Sequence, residues 1–107
     1  MKTSEALRGG AEYIGKNGHF KGSLIDGDGS VLDRALAGAP ACLIGSAIAH
    51  MELSDAYDHD IVDRIYGAHH NLYDTPAPVF NDAQSTTASD AIIRMNQLAN
   101  HFEELGD

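Results

Sequence analysis

The sequence predicts a mainly α protein, a compact bundle of about four helices that forms a single domain over residues 1–107. Three segments carry apolar residues at spacings of three and four, which place them on one face of a helix. A fourth segment is apolar nearly all round, as is typical of a helix at the centre of a domain. A chain of 107 residues with 43% hydrophobic residues can bury one core and is too short for two.

The first predicted helix covers residues 4–16, where Leu7, Ala11 and Ile14 share a face. Two glycines, at positions 9–10, lie inside it. Each glycine costs a helix about 1 kcal/mol relative to alanine, because glycine loses more backbone entropy on folding. The helix must therefore depend on packing, or on a neighbour that approaches closely at the glycines.

Residues 19–33 predict a glycine-rich loop or a short hairpin. Two short apolar pairs, at 24–25 and 31–32, flank a turn at 26–30 with the sequence DGDGS. Pieces this short fit a loose hairpin and an irregular loop equally well. We expect a loop with at most one short hairpin.

The central helix is predicted to start at Pro40, because the missing N–H of proline costs nothing at the first helical position. Residues 41–49 are almost entirely apolar, and several are small enough to let neighbouring helices approach closely. The segment turns polar at His50 and Glu52. We therefore expect this helix to be the one around which the others pack.

A third long helix is predicted from Ser54 or Asp55 to about Tyr73. The proline-containing segment at 75–78 ends it and forces an extended stretch, in which residues 79–80 are an apolar anchor. The predicted apolar stripe of this helix consists of Tyr57, Ile61, Ile65, Ala68 and Leu72.

The last predicted helix begins at Thr87 and closes the bundle. Thr87 and Asp90 approximate a capping box, with aspartate in place of the usual glutamate. The predicted apolar stripe of this helix consists of Ala91, Met95, Leu98, Phe102 and Leu105.

The composition disfavours several classes of binding partner. With 7 Lys and Arg against 16 Asp and Glu, the formal net charge is −9, which disfavours direct binding to nucleic acid or to anionic lipid. No stretch approaches the apolar length of a membrane span, and the N-terminal residues lack the apolar run of a secretory signal. A single cysteine favours a reducing compartment, so we expect a cytoplasmic protein.

Acidic residues are concentrated in one segment. The twelve residues 52–63 contain five acidic side chains and no Lys or Arg. A solvated face that aids solubility is one interpretation of such a segment. A docking patch for a basic surface of a partner protein, or mimicry of nucleic acid, is the other. The acidic residues are Glu52, Asp55, Asp58, Asp60 and Asp63.

A possible small-ligand site involves Cys42, Asn81 and Asp82. Cys42 lies near a predicted helix N-terminus, where the helix dipole lowers a thiol pKa. A free cysteine in an apolar context is most often buried, however, and we expect Cys42 to be buried and unreactive. His50 is two helical turns away and cannot act as its base from the same helix. Asn81 and Asp82 either build a turn or point across the domain at the central helix. No catalytic residue is predicted.

No metal site and no cofactor are predicted. The turn at 26–30 begins like a calcium loop, but the glycine required at its sixth position is Val31. His59, Asp63 and His70 share one face of a predicted helix, but His59 and His70 are too far apart to bind one ion. We therefore expect this face of the helix to be solvated.

Three short motifs, CLIGSA at 42–47, VFND at 79–82 and the threonine pair at 86–87, resemble a known family. It consists of small domains of unknown function in actinobacteria and their phages, with a Cys-Leu-x-Gly-Ala helix, a Trp-Asn-Asp segment and a closing amphipathic helix. The resemblance runs from about Pro40 onward, with Ser46 in place of alanine and Phe80 in place of tryptophan. It implies a compact helical domain and suggests a phage origin.

Together these observations give three functional hypotheses. The first is a small acidic phage or actinobacterial accessory protein that binds a host protein in the bacterial cytoplasm. The second is a small-molecule-binding or enzymatic domain that uses Cys42 with residues 81–82. The third is a homodimeric structural protein, with Val62, Tyr66 and Ile93 as interface residues because they lie off the main apolar stripes.

Overall fold

The computed structural model describes all 107 residues, and it confirms the prediction of a mainly α fold. There are six helices rather than four, and no named strand. The molecule measures 34 × 32 × 20 Å, and none of its helices combines the length and the apolar character needed to cross a membrane. In chain order the helices are α1 Thr3–Asn17, α2 Val31–Leu36, α3 Leu43–Leu53, α4 His59–Tyr73, α5 Ala77–Asp82 and α6 Ala88–Glu104.

Helix α3 is at the centre of the fold, as expected, with every residue from 43 to 49 buried. It packs closely against α1, and the glycine pair of α1 explains how. A Cβ atom added at Gly10 would lie 2.8 Å from the backbone nitrogen of Ala47. A Cβ atom added at Gly9 would lie 2.2 Å from the ring of His50. The two glycines therefore lower the helix propensity of α1, but they allow α1 and α3 to approach each other closely.

Helix α1 also packs extensively against α6, so the first and last helices of the chain are neighbours. Arg8 links their surfaces, because its guanidinium donates to Asn96, Asn100 and Glu103. The two chain ends are joined as well. The Thr3 hydroxyl donates to the Asp107 carboxylate over 2.7 Å, and the Ser4 amide donates to the Asp107 carbonyl over 2.9 Å.

Residues 19–30 form a loop without a hairpin, the first of the two predicted alternatives, whereas residues 31–33 form the first turn of α2. The loop residues instead form isolated bridges to Ala41, one from His19 and one from Ile25. The loop runs up to Ser30, which caps α2 by accepting a hydrogen bond from the Asp33 amide over 3.1 Å. The short helix α2 was not predicted.

Helix α3 begins at Leu43, so the prediction of a start at Pro40 is wrong. The residues before it are held in the bridges to the loop, and the Cys42 amide donates to the Leu24 carbonyl over 3.0 Å. Cys42 is the N-cap, and its sulfur accepts from the Gly45 amide over 3.1 Å. Gly45 has no room for a side chain, because an added Cβ would lie 1.7 Å from the Leu24 oxygen.

Helix α4 begins at His59, not at Ser54 or Asp55 as predicted. Asp55 has a positive φ of 53°, which is incompatible with a right-handed helix, and Asp58 is the N-cap. Tyr57 therefore lies in the connecting turn with half of its surface exposed, outside the predicted apolar stripe. Ile61 and Ile65 of the stripe are fully buried and Ala68 packs against the core, whereas Leu72 is exposed.

The segment after α4 is helical, so the prediction of an extended stretch is wrong. Pro76 precedes the first turn of α5, where a proline does not interrupt any helical hydrogen bond. Val79, predicted as an apolar anchor, is 60% exposed, whereas Phe80 packs against the core. Helix α6 agrees with its predicted capping box, but Leu105 lies just beyond its end and is exposed.

A fully buried histidine, His69 of α4, was not predicted. Its Nδ1 lies 2.5 Å from the Thr75 carbonyl oxygen, and its Nε2 lies 2.9 Å from Nη1 of Arg94 on α6. The Arg94 guanidinium lies between two aromatic rings, 3.8 Å from the centroid of Tyr73 and 3.9 Å from that of Phe80. This cluster joins α4, α5 and α6.

Candidate functional site

The predicted acidic residues occupy the surface between the last turn of α3 and the start of α4, which we call the acidic surface. None of their carboxylates forms an ion pair with a Lys or Arg, and the one contact with a histidine is between Nε2 of His59 and Asp60, at 3.3 Å. Three of the five are exposed and two, Glu52 and Asp58, are half-buried. The acidic surface consists of Glu52, Asp55, Asp58, Asp60 and Asp63.

The turn that carries the acidic surface is held by its own hydrogen bonds. The Ala56 amide donates to the Met51 carbonyl over 2.8 Å, and the Ser54 hydroxyl donates to the His50 carbonyl over 2.8 Å. Asp58 accepts from the Asp60 amide over 2.9 Å. Because Asp55 adopts the left-handed conformation, the chain reverses between α3 and α4 in only a few residues. The carboxylates are therefore presented from a fixed backbone.

Two large apolar side chains lie within the same segment and face solvent. Leu53, the last residue of α3, is 44% exposed, and Tyr57 in the turn is 50% exposed. The sequence predicted a buried Tyr57, because the start of α4 was predicted too early. Tyrosine is enriched at protein–protein interfaces, and an exposed leucine beside it adds apolar area that a partner can cover.

Beside Leu53 lies a groove of about 450 Å³ between α1, α2 and the end of α3. The sequence did not predict this groove, because the groove depends on the unpredicted helix α2 and on the approach of α1 to α3. The glycine pair at 9–10 was its only signal in the sequence. We call it the α1–α2–α3 groove, and its main side chains are those of Glu12, Tyr13, Lys16, Leu36, His50 and Leu53.

Donor atoms of Asp58, His59 and Asp60 come within 4.8 Å of one another in the turn before α4. Three ligands do not complete the four-ligand shell of a structural zinc site. Asp58 is in addition already used as the helix cap. The expectation that the protein has no metal site therefore stays a prediction.

The structure brings Cys42, Asn81 and Asp82 together around a second, small cavity of about 100 Å³. The side chain of Tyr66 from α4 lines the same cavity. Asn81 is buried and all its polar groups have partners within the chain. Its oxygen accepts from the Leu43 amide over 2.9 Å and lies 2.7 Å from Nε2 of His19. Its nitrogen donates to the Phe20 carbonyl and to Asp82.

The Asp82 carboxylate is used in the same way. It accepts from Asn81 and from the Gly22 amide, and these hydrogen bonds hold its pKa below the usual range. Asn81 and Asp82 thus fasten the loop 19–25 to the start of α3. Asn81 points across the domain at the start of the central helix, as in the second of the two interpretations, and it does so through the backbone amide of Leu43.

Comparison with known proteins adds no relative. No family model, no curated protein and no solved structure matches the chain. The resemblance to the actinobacterial and actinophage domains therefore stays a prediction.

Cys42 does not have the surroundings of a nucleophile. It is only 6% exposed, and burial raises the pKa of its thiol more than the hydrogen bond from the Gly45 amide lowers it. The neighbouring Asp82 carboxylate raises the pKa further. The cavity is also small, since ligand sites usually measure about 300–1,000 Å³. The predicted burial of Cys42 is confirmed.

The residues considered for a dimer interface have different surroundings. Val62 packs against the hydrophobic core, and Tyr66 lines the cavity beside Cys42. Ile93 is exposed on α6. Only Ile93 of the three is a predominantly exposed apolar side chain, so these residues do not by themselves define an apolar interface.

Proposed function

We propose that this chain is a small acidic accessory protein that acts by binding a basic surface of another protein. The observation that carries the proposal is the exposure of Leu53 and Tyr57 within a segment whose carboxylates pair with no Lys or Arg. Apolar side chains of this kind supply most of the affinity of an interface, because their burial removes apolar area from water. The surrounding charges select the partner and steer its approach.

The carboxylates of the acidic surface form no ion pair with a Lys or Arg of the chain, and this matters for the proposed function. A carboxylate that already pairs with Lys or Arg would have to give up that contact before it could bind a partner. The five carboxylates of the acidic surface have no such contact to lose. A basic partner can therefore approach these carboxylates without displacing a Lys or Arg of the chain.

The partner we favour is a host protein in the cytoplasm of a bacterium, with the chain encoded by an actinophage or an actinobacterium. The resemblance of residues 42–47 and 79–82 to the actinobacterial and actinophage domains supports this source. The net charge of −9 supports a protein partner over nucleic acid. The single buried Cys42 supports a reducing compartment.

The test begins with capture of a binding protein from an actinobacterial lysate and continues with its association rate at several salt concentrations. The triple variant Asp55→Asn, Asp58→Asn, Asp63→Asn should associate more slowly, and the rate should depend less on salt. Exposed charges act over only about 8 Å at physiological ionic strength, so the effect should be largest at low salt. Asparagine at position 58 can still cap α4, so the fold should survive.

The matched control is a triple variant with the same charge change elsewhere, Asp26→Asn, Asp28→Asn, Asp33→Asn in the loop and α2. All three of these residues are exposed. If net charge alone governs association, both triple variants will slow it equally, and the acidic surface is then not the docking site. Light scattering on the free protein separates this function from a homodimer.

A further inference from the structure

We propose that the α1–α2–α3 groove accepts the apolar side chains of a basic amphipathic helix on the partner, while the cationic side chains of that helix contact the acidic surface. This inference rests on the proposed function and specifies the partner's chemistry. Leu53 lines the groove and also belongs to the segment that carries the acidic surface, so the two features are continuous. A single ligand can therefore occupy both.

The groove is large enough to accept side chains of a partner. Its volume of about 450 Å³ lies within the usual range of ligand sites. Its walls are fixed, because the Tyr13 hydroxyl donates to the Ala39 carbonyl over 2.6 Å and ties α1 to the segment after α2. At one end Gly38 has a positive φ of 74°, so the chain turns there without a side chain that would fill the groove.

Unpartnered apolar surface lies along this groove. Leu36 of α2 is 69% exposed and Leu53 is 44% exposed, and both line the groove. Nothing within the chain covers them. Because a buried leucine is stabilised by the removal of its apolar area from water, these two side chains would gain most from an apolar ligand group.

The charges in and near the groove indicate which apolar ligand it takes. Glu12 and Lys16 are the charged groups on its walls, and their opposite charges leave the groove itself close to neutral. Neither forms an ion pair within the chain. After Leu53, the Asp, Glu, Lys and Arg residues of the segment up to position 63 are all acidic. A ligand that fits both parts is apolar on one side and basic on the other, which is the pattern of a basic amphipathic helix.

The experiment uses the absence of tryptophan from this chain. A synthetic helical peptide of leucine and lysine, with one tryptophan at an apolar position, is titrated with the full-length protein while tryptophan emission is recorded. Burial of the tryptophan in the groove should shift its emission to the blue. A peptide of the same composition with the apolar and basic residues scrambled should bind at least about tenfold more weakly, since it has no apolar face.

Neutral substitutions then locate the site without adding charge. Leu36→Asn and Leu53→Asn should each weaken binding of the amphipathic peptide by about tenfold, because an apolar contact is lost. Val79→Asn is the matched control, since Val79 is also exposed but lies on α5 and outside the groove. Circular dichroism of each variant checks that the fold is retained.

Two results would overturn the inference. Equal binding of the scrambled peptide would mean that charge alone attracts it. Unchanged affinity in Leu36→Asn, with the emission shift retained, would place the tryptophan elsewhere. The triple acidic variant separates this failure from that of the proposed function. If it weakens binding while Leu36→Asn does not, the acidic surface binds partners and the groove does not; if neither has an effect, both ideas fail.

Discussion

His69 shows how two contacts fix the protonation of a buried side chain. An arginine can only donate, so Nε2 of His69 accepts from Arg94, and Nδ1 carries the hydrogen that is donated to the Thr75 carbonyl. Burial lowers the pKa of His69, and the positive charge of Arg94 lowers it further, although the Thr75 carbonyl acts in the opposite direction. The folded protein therefore holds His69 neutral.

We predict from this that the protein loses stability as the pH falls below about 6.5, the pKa of an unperturbed histidine. Below that pH the unfolded chain binds a proton at His69 that the folded chain does not. The contribution is fully present above pH 6.5 and decreases as the pH falls towards the lowered pKa of the folded state. Melting temperatures between pH 8 and pH 5 measure it.

Two variants assign this pH dependence. His69→Gln should melt at a lower temperature at pH 8 but should lose the His69 part of the decline below pH 6.5. His59→Gln is the matched control on the same helix, since the His59 side chain is 74% exposed and lies outside the contacts of His69, and the decline should remain visible in it. An unchanged decline in His69→Gln would show that another group causes it.

At the same scale, Cys42 should be unreactive in the folded protein. Its thiol is buried and its pKa is raised, so the reactive thiolate is scarce and inaccessible. Intact-protein mass spectrometry should show slow alkylation under native conditions and rapid alkylation in denaturant. Rapid native labelling would support the hypothesis of a nucleophilic cysteine instead.

Among the elements, the contact between α1 and α3 depends on glycine. We predict that Gly10→Ala destabilises the protein by about 1–3 kcal/mol, because the added Cβ would meet the backbone of Ala47, which cannot move aside easily. Gly67→Ala is the matched control on α4, where an added Cβ meets nothing within 4 Å. That substitution should stabilise by about 1 kcal/mol from helix propensity. Urea denaturation measures both, and equal effects would contradict the close approach.

The elements also differ in how well the sequence predicts them. The long helices α1, α4 and α6 were predicted because a periodic apolar stripe is a local pattern that survives in the folded protein. Helix α5 was missed because two prolines were interpreted as a break, although a proline before the first helical turn is compatible with a helix. The start of α4 was misplaced because nothing in the sequence marks the left-handed Asp55.

The features of the candidate site also differ in how well the sequence predicts them. The acidic surface was predictable, since five carboxylates in one short segment have to face solvent. The exposure of Tyr57, the burial of His69 and the groove were not, because each depends on how separate helices meet. For Asn81 the residue type suggested a turn, but its bonds to the amide of Leu43 and the carbonyl of Phe20 join segments far apart in the chain.

For the whole molecule, the joined ends have a kinetic consequence. Helices α1 and α6 form the most extensive contact of the fold, yet they lie at opposite ends of the chain. The unfolded chain must therefore close a loop of nearly its full length before this contact can form, which slows folding. Since Thr3 and Asp107 are hydrogen-bonded, a short glycine–serine linker can join the two ends without distortion.

A circular permutant with this linker, opened between Asp28 and Gly29 in the exposed loop, makes the contact between α6 and α1 local in sequence. We predict that it keeps the native circular dichroism spectrum and refolds faster in stopped-flow experiments, because the loop between α6 and α1 shortens by more than the loop between α1 and α3 lengthens. Unchanged refolding would mean that the two helices meet only after the rate-limiting step. The hydrogen bonds between the chain ends would then form late in folding, as the last closure of a structure already built around α3.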